Sequence, residues 1–252
     1  MNYFTKPLTC LLVLCLVLFG VAPAGAEFII DDFGAPVPPV VRVISLLDPD
    51  PSLVKTTDLG ILGGERDVLL DVAGVPGFIT FAGQIGAGTF IFGGSSPGTA
   101  ATIQYDGLDA DIVGPPAALV NAQGLGGVDL TAYGDRFALR FLGIDGGDAQ
   151  VTDISITVHS PGGFSITLFD TIADSAGPST YTSPPFASWV VAADPTNVSA
   201  IEFRLNYSGA ADVDFELDKI SIVPEPSAMA LCAAGLACLL ACVWRRRKQA
   251  MP

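Results

Sequence analysis

The dominant pattern along the chain is the alternation of apolar and polar residues over short runs. Between residues 27 and 223 these runs are separated by clusters of Gly, Pro and Asp, as expected of strands joined by turns. In the run 150–160, Ile154, Ile156 and Val158 fall on one face and His159 on the other. Because no run has a sustained 3.6-residue period, the pattern predicts one all-β domain: an antiparallel, jelly-roll-like β-sandwich.

Twelve strands are predicted from these runs and their turn signals. They cover 28–33, 40–47, 67–72, 78–84, 89–92, 99–105, 135–144, 150–160, 164–169, 186–191, 200–207 and 213–223. Pro161-Gly162-Gly163 predicts a hairpin between two of them. In the last strand the apolar positions are odd-numbered up to Leu217 and even-numbered from Ile220, which predicts a β-bulge at Asp218-Lys219. We also expect the first and last strands to pair.

Apolar segments flank this region at both ends. Residues 1–26 have the cationic start, apolar middle and Ala24-Gly25-Ala26 site of a secretory signal peptide. Residues 227–244 are uncharged and, as a helix of about 27 Å, are long enough to cross a bilayer core. A buried core helix is the alternative, but the four cations that follow argue against it. The sequence therefore predicts a single C-terminal transmembrane helix with the sandwich on the outside.

Charged residues and cysteines are distributed unevenly between the central region and the two terminal segments. All 26 Asp and Glu residues lie in 27–226, where 7 of the 12 Lys and Arg residues also lie, giving 7 − 26 = −19. Such a charge argues against nucleic acid as a partner and leaves divalent cations and neutral sugars. All 5 cysteines lie in the two terminal segments, so the exported region is expected to lack disulfides and thiolate metal sites.

The C-terminal residues 224–252 resemble the PEP-CTERM sorting signal of Gram-negative bacteria. The parts occur in order: Pro224-Glu225-Pro226, the apolar run 227–244, and the basic tail 245–248. The resemblance implies that exosortase, an integral-membrane cysteine transpeptidase or protease, recognises Pro224, Glu225 and Pro226. It also implies that the following residues act as a stop-transfer element: Arg245, Arg246, Arg247 and Lys248.

The same resemblance implies a route. The Sec machinery and signal peptidase would process the N-terminus, and the precursor would stay anchored in the inner membrane until exosortase delivers the product to the cell surface or extracellular matrix. Residues 58–223 resemble uncharacterised exported proteins that bear the same tail. We therefore expect a non-enzymatic protein with structural or adhesive work within exopolysaccharide.

Calcium is the metal that the sequence favours, because hard carboxylate ligands on turns suit it. The phrases Asp31-Asp32-Phe33 and Asp218-Lys219-Ile220 resemble the strand ends of galactose-binding-like jelly rolls. A calcium site built from Asp31, Asp32 and Asp218 is the resulting hypothesis, and ordinary acidic turns are the alternative.

Two other functions stay open. A carbohydrate-binding module of galactose-binding-like type needs exposed aromatic residues, for which the candidates are Tyr105, Tyr133, Tyr181 and Trp189. An enzyme would rely on carboxylate pairs, but the sequence does not place any pair across a cleft. His159, the single histidine, lies on the outer face of a regular strand, where we expect an ordinary solvated residue and no triad.

Overall fold

Short extended segments account for nearly all regular structure in the part of the chain that the structure describes. The structure is a computed structural model, and it describes residues 27–34, 40–45, 52–72, 80–86, 88–94, 97–108, 120–121, 123–189 and 193–224. The predicted signal peptide, the C-terminal span, Glu225, Pro226 and the basic tail lie outside these ranges. Within them, no helix has the length and apolar character needed to span a membrane.

The described residues contain thirteen strands and four short 3-10 turns. The strands are β1 (Phe28–Asp31), β2 (Val40–Ser45), β3 (Ser52–Thr57), β4 (Glu65–Val72), β5 (Thr80–Gly86), β6 (Thr89–Gly94), β7 (Thr99–Tyr105), β8 (Arg136–Asp145), β9 (Val151–Ser160), β10 (Phe164–Ala173), β11 (Ser179–Thr182), β12 (Ala200–Leu205) and β13 (Val213–Val223). The 3-10 turns are Leu62–Gly64, Leu130–Ala132, Gly147–Ala149 and Phe186–Ser188.

These strands form two antiparallel sheets. Sheet I has seven strands in the order β11-β8-β13-β6-β5-β2, with β1 paired to the second half of β13. Sheet II has six strands in the order β10-β9-β12-β7-β4-β3. The compact unit that they build runs from Phe28 to Val223.

The two sheets pack face to face on one hydrophobic core, which makes the unit a β-sandwich. Along each strand alternate residues point inward, so that Ile154, Ile156 and Val158 of β9 are buried. Direct contact between the layers is seen where Phe137 of β8 meets Phe203 of β12, with ring centroids 5.2 Å apart. The all-β, two-sheet prediction is confirmed.

Three local predictions are also confirmed. Residues 161–163 join β9 to β10 as a hairpin with continuous register. β1 pairs with β13, bringing the first and last strands together. The register of β13 against β8 shifts between Leu217 and Lys219, which leaves Asp218 in the bulge that the change of apolar parity predicted.

Other predictions were wrong or incomplete. Residues 186–188 form a 3-10 turn instead of a strand, because two prolines precede it and the Trp189 N–H returns to the Phe186 carbonyl (3.0 Å). β12 ends at Leu205, two residues before its predicted end, and β10 continues beyond its predicted end to Ala173. The polar strands Ser52–Thr57 and Ser179–Thr182 were not predicted, because they carry few apolar residues.

A buried ion pair links the two sheets across the core. The Nη1 atom of Arg66 in sheet II lies 2.8 and 2.7 Å from the two carboxylate oxygens of Asp31 in sheet I. The Tyr105 hydroxyl donates to the same carboxylate (2.9 Å), and so does the Phe33 N–H (2.8 Å). All three side chains are essentially inaccessible to solvent. Burial, and then the adjacent carboxylate of Asp31, raise the pKa of Tyr105 well above its ordinary value, so the phenol stays protonated.

Substitution of Arg66 should reveal how much the fold depends on this pair. Arg66→Met preserves most of the volume but leaves the Asp31 carboxylate buried without its cation. We expect the free energy of unfolding, measured by urea denaturation of the full chain, to fall by about 3–5 kcal/mol.

The matched control for this prediction is the accessible pair between Arg140 and Asp218, whose atoms lie 3.1 Å apart. Arg140→Met should cost about 1 kcal/mol or less, since solvent already screens that pair. Equal losses in the two variants would contradict a special role for the buried pair.

Candidate functional site

The candidate site is the outer face of sheet II, where side chains opposite the core form rows across neighbouring strands. One row joins Thr167 of β10, Thr157 of β9, Glu202 of β12, Gln104 of β7 and Asp67 of β4 by direct register. Its members on β10, β9 and β12 are exposed or half-buried, whereas Gln104 and Asp67 are buried. The accessible part of this row is therefore a strip of polar side chains three strands wide.

Hydrogen bonds fix the geometry of that strip. The Oε1 atom of Glu202 lies 2.5 Å from Nε2 of His159, and its Oε2 atom accepts from Gln104 Nε2 at 2.9 Å. The hydroxyls of Thr157 and Thr167 are 2.9 Å apart. Partial burial alone would raise the pKa of Glu202, but the hydrogen bonds from His159 and Gln104 outweigh it and lower the pKa. Glu202 is thus held as a carboxylate, with its neighbours oriented around it.

Two aromatic rings border the strip. Phe169 of β10 is 62% exposed, and its ring meets that of Tyr207 edge-on with centroids 5.3 Å apart. Arg204 is exposed on the same face, one strand across from Ser155, which is paired to Phe169. We call these seven residues the outer site: Thr157, His159, Thr167, Phe169, Glu202, Arg204 and Tyr207.

Asn206 explains why Tyr207 belongs to this surface. Alternation along 200–207 predicts that Tyr207 points inward, but Asn206 has a left-handed φ of 55° and β12 ends before it. Asparagine tolerates this conformation, and here its amide donates to the Thr99 and Ala210 carbonyls at 2.8 and 2.9 Å. The chain turns at that residue, which changes the direction of the following side chain.

Sequence reasoning missed the aromatic part of the outer site, although half of its signal was present. Phe169 has the same parity as Ser165 and Thr167, which predicts an outward direction on β10. Tyr207 gave no such signal, because its position depends on the backbone at Asn206.

The aromatic residues proposed from sequence for sugar binding are placed differently. Tyr105 is buried in the ion-pair network, and Tyr181 is buried with its hydroxyl donating to Asp170 at 3.0 Å. The prediction that Tyr105 and Tyr181 are exposed aromatic residues for sugar binding is therefore wrong. Tyr133 is partly exposed and stacks on Phe28, and Trp189 lies half-buried beside Phe137.

The proposed calcium ligands are not brought together. The Asp31 carboxylate forms an ion pair with Arg66, and the Asp32 carboxylate accepts a hydrogen bond from the Gly34 N–H at 3.0 Å. Asp218 forms an ion pair with Arg140. The physical reason is that β1 directs Asp31 into the core while the bulge in β13 directs Asp218 toward solvent.

Another group of acids lies close enough to share a cation. Among the described residues, carboxylate oxygens of Glu65, Asp67 and Asp106 all lie within 4.8 Å of one another. The Nζ atom of Lys55 is 3.0 Å from Glu65 and 3.8 Å from Asp67. The Asn121 N–H donates to Asp106 at 2.7 Å. The ammonium therefore compensates part of the negative charge of this group.

A shallow pocket of about 250 Å³ lies beside β10 and shares Thr167 with the outer site. The other residues that line it are Ile166, Leu168, Pro184, Ser188 and Trp189. Among the described residues, its lining includes no carboxylate and no histidine. The acid–base pair of His159 and Glu202 therefore lies on open strands outside it.

Several solved structures match this chain at low sequence identity. The family 11 carbohydrate-binding module from Clostridium thermocellum, in complex with a β-1,3-1,4-mixed-linked tetrasaccharide, is 12% identical with a TM-score of 0.36 and covers 79% of this chain and 95% of its own. A CBM4 structure is 10% identical, with a TM-score of 0.35 and coverage of 63% and 87%. CBM28, a carbohydrate-binding module specific for non-crystalline cellulose, is 12% identical, with a TM-score of 0.33 and coverage of 62% and 79%.

At these TM-scores the similarities carry no argument, and the fold is established by the two sheets themselves. No protein-family model matches the sequence, and no curated protein sequence matches it either.

The lowered pKa of Glu202 predicts a specific loss of stability in acid. A carboxyl whose pKa is depressed on folding stabilises the protein above its ordinary pKa of 4.5, and this contribution is lost as pH falls through the lowered value. We expect Glu202→Gln to flatten the decline of the urea midpoint between about pH 5 and pH 3.

Glu216→Gln, on the outer face of sheet I, is the control and should retain the decline that depends on Glu202. If the urea midpoint of Glu202→Gln declines with falling pH as steeply as that of the unsubstituted chain, the hydrogen bonds from His159 and Gln104 do not hold the carboxylate as described.

Proposed function

We propose that this chain is a non-catalytic protein of the cell surface or extracellular matrix whose β-sandwich binds polysaccharide at the outer site. The binding part is carried by one observation, the contact of the exposed Phe169 ring with the half-buried Tyr207 ring beside a fixed strip of hydrogen-bonding side chains. Rings supply apolar area for the faces of sugar units, while oriented carboxylate, imidazole and hydroxyl groups suit the hydroxyls of those units.

The polar part of the outer site has the character that sugar recognition requires. Its hydrogen bonds hold His159 and Glu202 in one geometry before any ligand arrives, which reduces the ordering cost of binding. The strip also lies on three regular strands, so its side chains have fixed spacing. Extended glycan chains would lie across β10, β9 and β12, and no concave pocket is needed.

Two observations favour binding over catalysis. His159 and Glu202 lie on regular strands, and the pocket beside Trp189 contains neither. A hydrolase would need an acid and a base or nucleophile converging on one bond of the substrate.

We also propose the route implied by the tail. The chain would be exported by Sec and signal peptidase, held by residues 227–244, and processed by exosortase at Pro224-Glu225-Pro226. The end of β13 at Val223 supports this, since the last residue of that strand directly precedes the motif. A jelly-roll-like topology is part of the proposal and is supported by a chain that passes repeatedly between the two sheets.

Polysaccharide binding is tested by affinity electrophoresis of the full chain through gels containing neutral glucans or galactans, with uronate polymers in parallel. Phe169→Ala combined with Tyr207→Ala should weaken retardation by the retained neutral polymer about tenfold or more, because two stacking surfaces are lost.

Phe164→Ala is the matched control, since Phe164 is 64% exposed on the same strand but has the opposite parity. Its retardation should equal that of the unsubstituted chain. Lack of retardation by every neutral polymer, or equal weakening by both substitutions, would rule out binding at the outer site.

Sorting is tested separately by pulse-labelling a tagged chain in a bacterium that has exosortase. We expect a shortened product outside the inner membrane, and we expect Pro224→Ala with Glu225→Ala to leave the full-length precursor in the membrane. A control substitution, Phe164→Ala, should be processed normally. Full-length, membrane-bound chain in every case would contradict sorting while leaving the binding proposal intact.

A further inference from the structure

The accessible strip of the outer site stops at β12. Glu202 of β12 is half-buried, but the next residues of its row are not accessible: Gln104 of β7 is 3% exposed and Asp67 of β4 is 2% exposed. Both side chains point away from the core, so their burial means that β7 and β4 are covered on this face. The strip is therefore closed on its β7 side, and Glu202 is the last accessible side chain before the covered strands.

The aromatic residues close a second side of the strip. Phe169 belongs to β10 and Tyr207 follows β12, and β9 lies between these two strands in sheet II. Because the two rings are in contact, with centroids 5.3 Å apart, they meet above β9. Ser155 of β9 is paired with Phe169 and is buried, as expected beneath such a bridge. We call Phe169 and Tyr207 the aromatic ridge.

The beginning of β12 is covered as well. Ala200, which is paired with His159 on the outer face, is fully buried. Among the described residues, the strip stays accessible from the edge strand β10, where Ser165 and Thr167 are exposed, and from the exposed hairpin residues 161–163. A ligand therefore enters over β10 or the hairpin and stops at β7 or at the aromatic ridge.

These boundaries limit the length of glycan that the strip can hold. From β10 to β12 it crosses two inter-strand spacings, about 10 Å in all. An internal segment of a straight polymer has to continue on both sides of the groups that it contacts. Here such a segment would meet the covered strand β7 or the aromatic ridge, whereas the end of a chain would not.

We infer that the outer site binds the ends of polysaccharide chains and not their internal segments. The terminal unit would lie at the closed side of the strip, beside Glu202, and the units that follow would leave over β10. This inference rests on the proposed polysaccharide binding and adds which part of the polymer is recognised.

The chemistry at the closed side favours a chain end. Glu202 is held as a carboxylate by His159 and Gln104, and a carboxylate only accepts hydrogen bonds. A terminal sugar unit carries a free hydroxyl where an internal unit carries a glycosidic oxygen. The hydroxyl can donate to Glu202, but the glycosidic oxygen is itself only an acceptor and would leave both groups unsatisfied. The carboxylate thus discriminates between the two units.

Competition in an affinity gel tests this inference. The full chain is run through gels that contain the neutral glucan or galactan that retards it. The same polymer is added as a soluble competitor, either intact or shortened by partial acid hydrolysis. Shortening it about tenfold should lower the competitor mass needed for half-release by the same factor, because the molar concentration of chain ends rises in proportion.

A substitution of Glu202 assigns the preference to its carboxylate. Glu202→Gln places an amide at the closed side, which both donates and accepts and therefore tolerates a glycosidic oxygen. We expect the ratio of the two competitor masses to fall from about ten to about one in this variant. Glu216→Gln, on the outer face of sheet I, is the control and should keep the ratio of the unsubstituted chain.

The possible outcomes separate this inference from the proposed function. If intact polymer retards the chain but the shortened competitor is no more effective by mass, chain-end recognition is wrong and polysaccharide binding stands. If no polymer retards the chain, the proposed binding is wrong and this inference is wrong with it. An unchanged ratio in Glu202→Gln would overturn the role given to the carboxylate at the closed side.

Discussion

The buried pair between Asp31 and Arg66 is the constraint on which the rest of this sandwich depends. Two charged groups removed from water are tolerated only when they satisfy one another, and here the carboxylate also receives the Tyr105 hydroxyl and a backbone N–H. The pair joins β1 of sheet I to β4 of sheet II, the neighbour of the edge strand β3, which fixes how the layers face each other. Arg66 further packs over the Phe33 ring, with its guanidinium carbon 5.0 Å from the centroid.

This constraint also separates structure from function among the carboxylates. Asp31 is paired within the core, and the charge of Glu65 and Asp67 is partly compensated by Lys55. The residues proposed for polysaccharide recognition lie on the outer face of sheet II, where Glu202 is held by His159 and Gln104. A strongly acidic domain thereby presents a locally balanced surface with aromatic borders, which suits neutral polymer better than another polyanion.

Periodicity alone carried much of the fold, because in a two-layer protein the inward and outward residues differ sharply in polarity. It located the bulge at Asp218, where the parity of apolar residues changes, while the turn residues 161–163 located the hairpin. It failed where the chain departs from regular extension, as at Asn206 and in the turn 186–188. It also failed for Asp31, since no local pattern tells that a carboxylate will meet an arginine 35 residues away. For that reason the three ligands of the calcium hypothesis do not come together.

The pairing of β1 with β13 has a consequence for the order in which the sandwich is completed. A chain that emerges from its N-terminus first delivers Asp31 long before the last strand, so β1 has no partner strand until nearly the whole domain is available. The two ends of the domain are therefore joined in the final step of folding, and a chain interrupted before β13 would leave the Asp31 strand without its neighbour in sheet I.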